Sequence, residues 1–401
     1  MSRYRTEIGL AIACVAVLVL THLTSGAYGG GRAALNGQEV IRKASILGIF
    51  ALGAGVVIIA GGIDLSAGSV IALSATVFAS VCFAMAPLDE YGAVTTESLS
   101  TGTLLLAMLA VLAVALAIGA FHAWLITAIR LPPFVATLAS LVGLRSIAQL
   151  LIREVDAAVR NTPDGRTKIN IDDPGFAAWG TDYRIPLIAF AAFAVGLAVL
   201  LRLTVAGRHI YAVGGNEEAA RLSGIRTDRV KWIVYTISSV TAAAAGILYA
   251  SFVAVASPGT LGLGYELNAI AAAVVGGCSL LGGLGSVTGI ALGALFLTLV
   301  IDLVAKIAIQ FDVQQSDFEG SVVGLLVILA VAVNQLRNAS GERIRLFAGP
   351  LGLLAIVVLT GLVALMVGLL THFALDKVAI AAAVTGALCV ALAIIERRRE
   401  S

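Results

Sequence analysis

The stretch IIAGGIDLSAGSVIALSA, residues 58–75, sets Asp64 in the middle of an apolar run as the only charged side chain between Lys43 and Asp89. Gly61 and Gly62 free the backbone to turn just before it, so the run reads as two helices with an interruption. Asp64 and Ser66 are the residue types that accept hydrogen bonds from the first turn of a following helix. A helix N-terminus beside a pore can also meet a polar solute, which gives Asp64 and Ser66 a second reading as part of a substrate path.

The composition says what surrounds this run. Of 401 residues, 59% are hydrophobic and 12% charged, and the mean hydropathy is +1.01. Soluble domains carry about 25% charged residues, so lipid is the expected solvent for most of this chain. A net charge of +2, with no basic run interleaved with aromatics, argues against a nucleic-acid partner. Cys14, Cys82, Cys278 and Cys389 sit in apolar stretches without CxxC spacing, and His22, His122, His209 and His372 show no ligand spacing, so no metal site is expected. The first 27 residues also fit a signal peptide, but the rest of the chain is equally apolar, which favours a retained first membrane helix.

A helix needs about 20 apolar residues to cross about 30 Å of hydrocarbon. Long apolar runs, most of them free of charge, divide into candidate spans at 7–24, 44–60, 66–86, 103–129, 134–152, 185–202, 232–256, 265–282, 286–308, 320–336, 347–371 and 378–395. Length alone forces two of these divisions. The uncharged run 267–301 would reach ~52 Å as one helix, and GGCSLLGGLGS (276–286) offers Gly282 and Gly283 as the break; the run 44–88 breaks likewise at Gly61 and Gly62. The expected fold is an all-α polytopic membrane bundle of about 10–12 crossings with glycine-broken helices.

Lysine and arginine placement sets the orientation. With the N-terminus inside, Arg130, the 202–231 connection, Arg337, Arg343, Arg345 and Arg397–Arg399 all fall on the cytoplasmic side, and both termini are cytoplasmic. Arg42 and Lys43 fall outside and break the rule.

The connection 203–231 contains GGNEEAARLSGI, which reads as a short helix. Asn216 is its N-cap, Glu217 and Glu218 occupy the first turn where the dipole favours anions, and Gly224 ends it. Arg221 and Leu222 complete it, and a capped helix in a connection suggests either a docking element or a simple interfacial link.

GGNEEAARLSGI, the following VKWIVYTISSVTAAAAGILYASFVAVASPGTLGLGYELNAIAAAVVGGCSLLGGLGSVTGIALGAL, the upstream GGIDLS followed by GS, and LPPFVATLASLVGLRSIAQLL form an ordered set of motifs. Together, from about Leu35 to Leu336, they resemble the membrane permease of bacterial ABC importers of the ribose and xylose type. The resemblance implies a permease domain over 1–340 (core 35–336), in the bacterial inner membrane, forming a pore with a second permease copy. It also implies two ATPase subunits that bind ATP and Mg, and a periplasmic sugar-binding protein. Asn216, Glu217, Glu218, Arg221, Leu222 and Gly224 would form the coupling helix gripped by the ATPase.

The chain itself is expected to hold no cofactor and to catalyse nothing. A P-loop needs Gly-Lys followed by Ser or Thr, and no lysine here follows a glycine. Residues 345–396 add a two-helix hairpin that the familiar permeases lack. Asp302 and Lys306 are spaced to pair on one helix. Arg145, with no acid three or four residues away, faces either a pore or backbone carbonyls of a neighbouring helix. Glu266 and Asn268 begin a span, where Asn268 can cap or line a cavity mouth. The rival functions are a nucleoside or branched-chain amino-acid permease, an ion-coupled secondary transporter, an intramembrane hydrolase and a membrane scaffold. A hydrolase would need a GxSxG-type nucleophile that is missing, and ion coupling usually needs more deep carboxylates than Asp64.

Overall fold

Lipid inverts the usual sense of an amphipathic helix, and the fourth helix of this chain shows how. In the segment Thr101–Thr127 the buried residues include Ala107, Val111, Ala115, Gly119 and Ala123 together with Ile118, His122 and Ile126, while Leu105, Leu109, Leu112, Leu116 and Trp124 are exposed. Small residues predominate on the inward face, where helices must approach closely, and leucines on the outward one. The computed structural model describes residues 2–310, apart from 30, 32 and 89–93, together with isolated positions beyond 310.

In chain order the elements are α1 (Ser2–Ser25), α2 (Ala33–Ile59), α3 (Ala67–Ala84), α4 (Thr101–Thr127), α5 (Pro133–Arg160), β1 (Ile169–Asn170), α6 (Pro174–Thr181) and α7 (Arg184–Leu203). They continue with α8 (Val205–Gly215), α9 (Glu217–Leu222), α10 (Thr227–Val253), β2 (Val255–Ala256), α11 (Tyr265–Val275) and α12 (Val287–Gln310). Among the described residues eight helices are long and apolar enough to cross a membrane: α1 to α5, α7, α10 and α12. Residues 1–303 with 320–331 form one compact unit, and residues 304–319 with 332–401 a second. The expected spans 320–336, 347–371 and 378–395, and with them the hairpin 345–396, lie outside the described residues, isolated positions aside.

Within the first unit α2 and α3 are the centre. Their most apolar windows are 78% and 83% buried, against 11% for α1 and 17% for α7, so the latter two are left for lipid or another chain to cover. Ile49, Phe50, Ile71 and Phe78 fill one core cluster with Ala242 and Ala245 of α10. Small residues let the backbones close up. Gly246 of α10 packs on the backbone of Ile71. Gly289 and Gly293 of α12, four apart, lie against the carbonyls of Gly276 and Ala272 at and beside the end of α11, in the GxxxG manner. β1 and β2 pair antiparallel, Ile169 with Ala256 and Asn170 with Val255.

Three expectations need correction. The first concerns α2, which starts at Ala33 rather than 44 and so carries Glu39, Arg42 and Lys43 inside the helix. The charges have partners: the exposed Lys43 pairs with Glu39 at 2.6 Å, and the Arg42 guanidinium lies 4.2 Å over the Phe252 ring and donates to the Thr181 carbonyl at 3.3 Å. A paired or stacked cation no longer interrupts a helix end in the way a count of charges assumes. Secondly, α5 runs to Arg160 instead of stopping at 152, because the buried Asp156 accepts from Arg160 at 2.8 Å and from the Arg166 N–H at 2.9 Å.

The third correction is the expected span 265–282, of which only Tyr265–Val275 is helical. Eleven residues rise ~16 Å, about half of a hydrocarbon core. The chain nevertheless runs from one end of α10 to the other. β2 lies at the C-terminal end of α10, whereas Gly283 reaches the α8 end of the molecule, where its N–H donates to the Ile59 carbonyl at 2.9 Å. Between β2 and α11 the passage is made by turns, which is tolerable at that depth only where protein groups satisfy the backbone.

Candidate functional site

The first chain break follows the glycine logic. The Gly62 N–H donates to the Val57 carbonyl and the Gly61 N–H to the Ile58 carbonyl, both at 2.9 Å, closing α2 in a Schellman arrangement. Gly61, at φ +82°, occupies the left-handed position this closure needs, whereas Gly62 is not left-handed. Gly282 and Gly283 in the second break have φ +87° and +73°.

Asp64 lies beyond the first break and is 2% exposed. Its Oδ1 accepts from the Ser66 N–H at 2.9 Å and from the Ser66 hydroxyl at 2.5 Å. Its Oδ2 accepts from the Ser238 hydroxyl of α10 at 2.7 Å. Ser66 stands at the N-cap position of α3 but its side chain makes no capping bond, since the hydroxyl is committed to Asp64. The aspartate therefore organises the residue before the helix rather than the helix's own first N–H groups. Thr137 and Ser69 fasten the same stretch to α5, through the carbonyls of Ile63 at 3.3 Å and of Leu141.

The α10–α11 connection meets this stretch at Gly68. Arg145 of α5 reaches across with Nη1 donating to the carbonyls of Pro258 at 2.7 Å and Leu261 at 3.0 Å, and Nη2 to that of Gly68 at 3.3 Å. One guanidinium thus serves the irregular turns 257–264 and the first turn of α3 together. A Cβ at Gly68 would collide with the Gly262 carbonyl and with Oε2 of Glu266, on the first turn of α11. That Oε2 is buried without a hydrogen-bond partner. Asn268, two residues on, is half-buried. The first turns of α3 and α11 therefore meet inside the fold, with Arg145 as the clamp. Arg145 was legible in the sequence only as a choice between pore and carbonyls, and Gly68 gave no signal beyond its place in the GS pair.

At the opposite end, α8 and α9 form a bent arm. Asn216 closes α8 through its N–H to the Ala212 carbonyl, 3.1 Å, and opens α9 by accepting from the Ala219 N–H, 2.9 Å. Gly224 is left-handed at φ +84°. Glu218 receives Arg221 through two contacts, 2.8 and 2.6 Å, and that carboxylate holds the guanidinium pKa above its ordinary value. Lys231 ties α9 to α10 through Glu217 at 2.5 Å. Leu222 is 80% exposed, an apolar side chain next to the charged Glu218 and Arg221. Beside it a cavity of about 630 Å³ is lined by Arg221, Arg226, Asp228, Arg229 and Trp232 among others. The eleven-residue α8 was not foreseen, because its VAGRHIYAVGG is too glycine-rich to read as helix by propensity.

The chain has relatives among known proteins. The family described as branched-chain amino acid transport system / permease component matches residues 37–331. The chain is 34% identical over 345 residues to "Probable ABC transporter permease protein y4mJ" of Sinorhizobium fredii, covering 84% of this chain and 92% of that one. It is 34% identical over 326 residues to the ribose import permease protein RbsC of Escherichia coli, covering 81% and 93%. It is also 33% identical over 307 residues to the galactose/methyl galactoside import permease protein MglC of Escherichia coli, covering 76% and 88%. No solved structure matches.

Proposed function

Because this chain belongs to the permease-component family of the branched-chain amino acid transport type, we propose that it is the membrane subunit of an ATP-driven ABC importer and forms the path for a small sugar. The observation that carries the sugar is the similarity to ribose and galactose import permeases over three quarters or more of the chain. The protein is multi-pass, placed in the bacterial inner membrane with both termini and the α8–α9 arm cytoplasmic. A periplasmic binding protein delivers the sugar, a second permease copy completes the pore, and lipid covers the outward leucines. A separate ATPase holds ATP and Mg and supplies the hydrolysis, so this chain is not itself an enzyme.

In this reading α9 is the coupling helix, with Asn216 and Gly224 shaping it and Glu217, Glu218, Arg221 and Leu222 meeting the ATPase. Ion coupling is disfavoured because Asp64 already accepts three hydrogen bonds from protein donors and is shut away from solvent. The family description keeps a branched-chain amino acid as the second cargo to test.

The experiment is uptake into proteoliposomes holding this chain with its ATPase, supplied with binding protein and ATP. Labelled ribose or galactose is expected to accumulate with ATP and leucine is not; accumulation of leucine alone would reverse the choice of cargo. The double variant Glu218→Arg with Arg221→Glu keeps the pairing within α9 while inverting the charges it presents. ATPase retained through purification is expected to fall at least about tenfold, and unchanged retention with unchanged uptake would remove α9 from the coupling role.

A further inference from the structure

The two chain breaks are bonded together, and α8 lies on the bond. The Ile59 carbonyl at the end of α2 accepts from the Gly283 N–H in the loop before α12, 2.9 Å. Gly214, the penultimate residue of α8, covers this contact so closely that a Cβ there would lie 2.7 Å from the Gly283 nitrogen and closer still to the Ile59 carbonyl oxygen. A Cβ at Gly282 would in turn meet the Gly61 Cα at 2.9 Å and the Gly214 carbonyl. One turn earlier on α8, the Tyr211 hydroxyl donates to the Gly285 carbonyl at 3.0 Å. At the Ile59–Gly283 bond, beneath Gly214 and between Gly282 and Gly61, backbone touches backbone with no side chain between to absorb a displacement, and Tyr211 adds one side-chain bond.

We propose that Gly214 is the positioning residue that links the α8–α9 arm to both chain breaks, so that movement of the arm moves the ends of α2 and of the 279–285 loop together. This rests on the coupling-helix reading above. The link from α9 to Gly214 is short and stiff: Asn216 closes α8 and opens α9 in one residue. Close-packed backbone transmits strain because it has no void in which to relax. An added methyl at 214 must push α8 away from Ile59 and Gly283 together, since both neighbours are main chain rather than the ends of flexible side chains. The adjacent Gly215 supplies the contrast, as a Cβ there meets nothing within 4 Å.

The test uses the full importer, permease with ATPase, in proteoliposomes with binding protein, and reads sugar transported per ATP hydrolysed. Gly214→Ala is expected to keep its ATPase through purification while that ratio falls at least about tenfold. Gly215→Ala is expected to stay within about twofold of the parent ratio. Tyr211→Phe, which removes a bond without adding bulk, is expected to lower the ratio about two- to fivefold. A parent-like ratio for Gly214→Ala overturns the proposal, as does loss of the ATPase from that variant, which would make Gly214 part of the docking face instead. Should Gly214→Ala fail to reach the membrane, Tyr211→Phe decides, and an unchanged ratio there overturns the link. If the unmodified chain retains no ATPase at all, the coupling-helix reading itself falls and takes this inference with it.

Discussion

Asp64→Ala is expected to destabilise the protein by about 3 kcal/mol, read as a lowered unfolding midpoint in detergent. The carboxylate, 2% exposed, is the shared acceptor for the Ser66 N–H, the Ser66 hydroxyl and the Ser238 hydroxyl. Its loss strands three buried donors, each at a cost of about 1–3 kcal/mol. The two hydroxyls can rotate toward nearby carbonyls and recover part of this, so the sum is set near the cost of one fully stranded N–H and two partly relieved ones. Asp64→Asn separates position from charge. Its amide oxygen still accepts from Ser66 and its amide nitrogen can donate to the Ser238 oxygen, so a cost below about 1 kcal/mol is expected. Parent-like uptake by that variant would assign Asp64 to holding the break. Loss of uptake with the unfolding midpoint preserved would mean that the negative charge itself is needed, and would return Asp64 to the substrate path.

Arg145→Ala is expected to be comparably damaging, again about 3 kcal/mol, for a different reason. Three main-chain carbonyls, at Pro258, Leu261 and Gly68, take their side-chain donor from this one guanidinium. They lie on turns and a helix start where Pro258 and Leu261 are buried, so a lost donor is not simply replaced by solvent. Arg145→Lys keeps the charge but replaces a planar fork with a single ammonium group, which cannot span all three acceptors, so about half of the loss is expected to remain. Unfolding midpoints of the three proteins, measured side by side, check the order Arg, Lys, Ala. Equal midpoints for Lys and Ala would show that the fork geometry, and not the charge, is all that matters; a midpoint for Ala equal to the parent would refute the clamp.

Some of this site was readable in the chain because its causes are local. Gly61, Gly282 and Gly283 sit at left-handed backbone positions, and a run too long for one crossing must turn where glycine permits it. The ends of α9 follow from Asn216 and Gly224 within a few residues of themselves. The extent of α11 was not readable. Its helix begins after the left-handed Gly264, and the turns before it depend on Arg145, more than a hundred residues away in sequence. The early start of α2 was hidden in the same way, since Arg42 is accommodated by Phe252 and the Thr181 carbonyl.

What the sequence determined by itself is the solvent, the places where helices must break and the caps of the exposed arm, because each is settled by composition or by neighbours a few residues apart. Only the tertiary structure decided which helices are central, that Asp64 answers to Ser238, and that Gly214 lies on the bond between the two breaks. The physical reason is the solvent. In water the inner and outer faces of a helix differ in polarity, and the pattern is written along the chain. In lipid both faces are apolar and differ mainly in side-chain size, as Ala107 and Leu109 do on α4, so the sequence carries little record of which surfaces will meet.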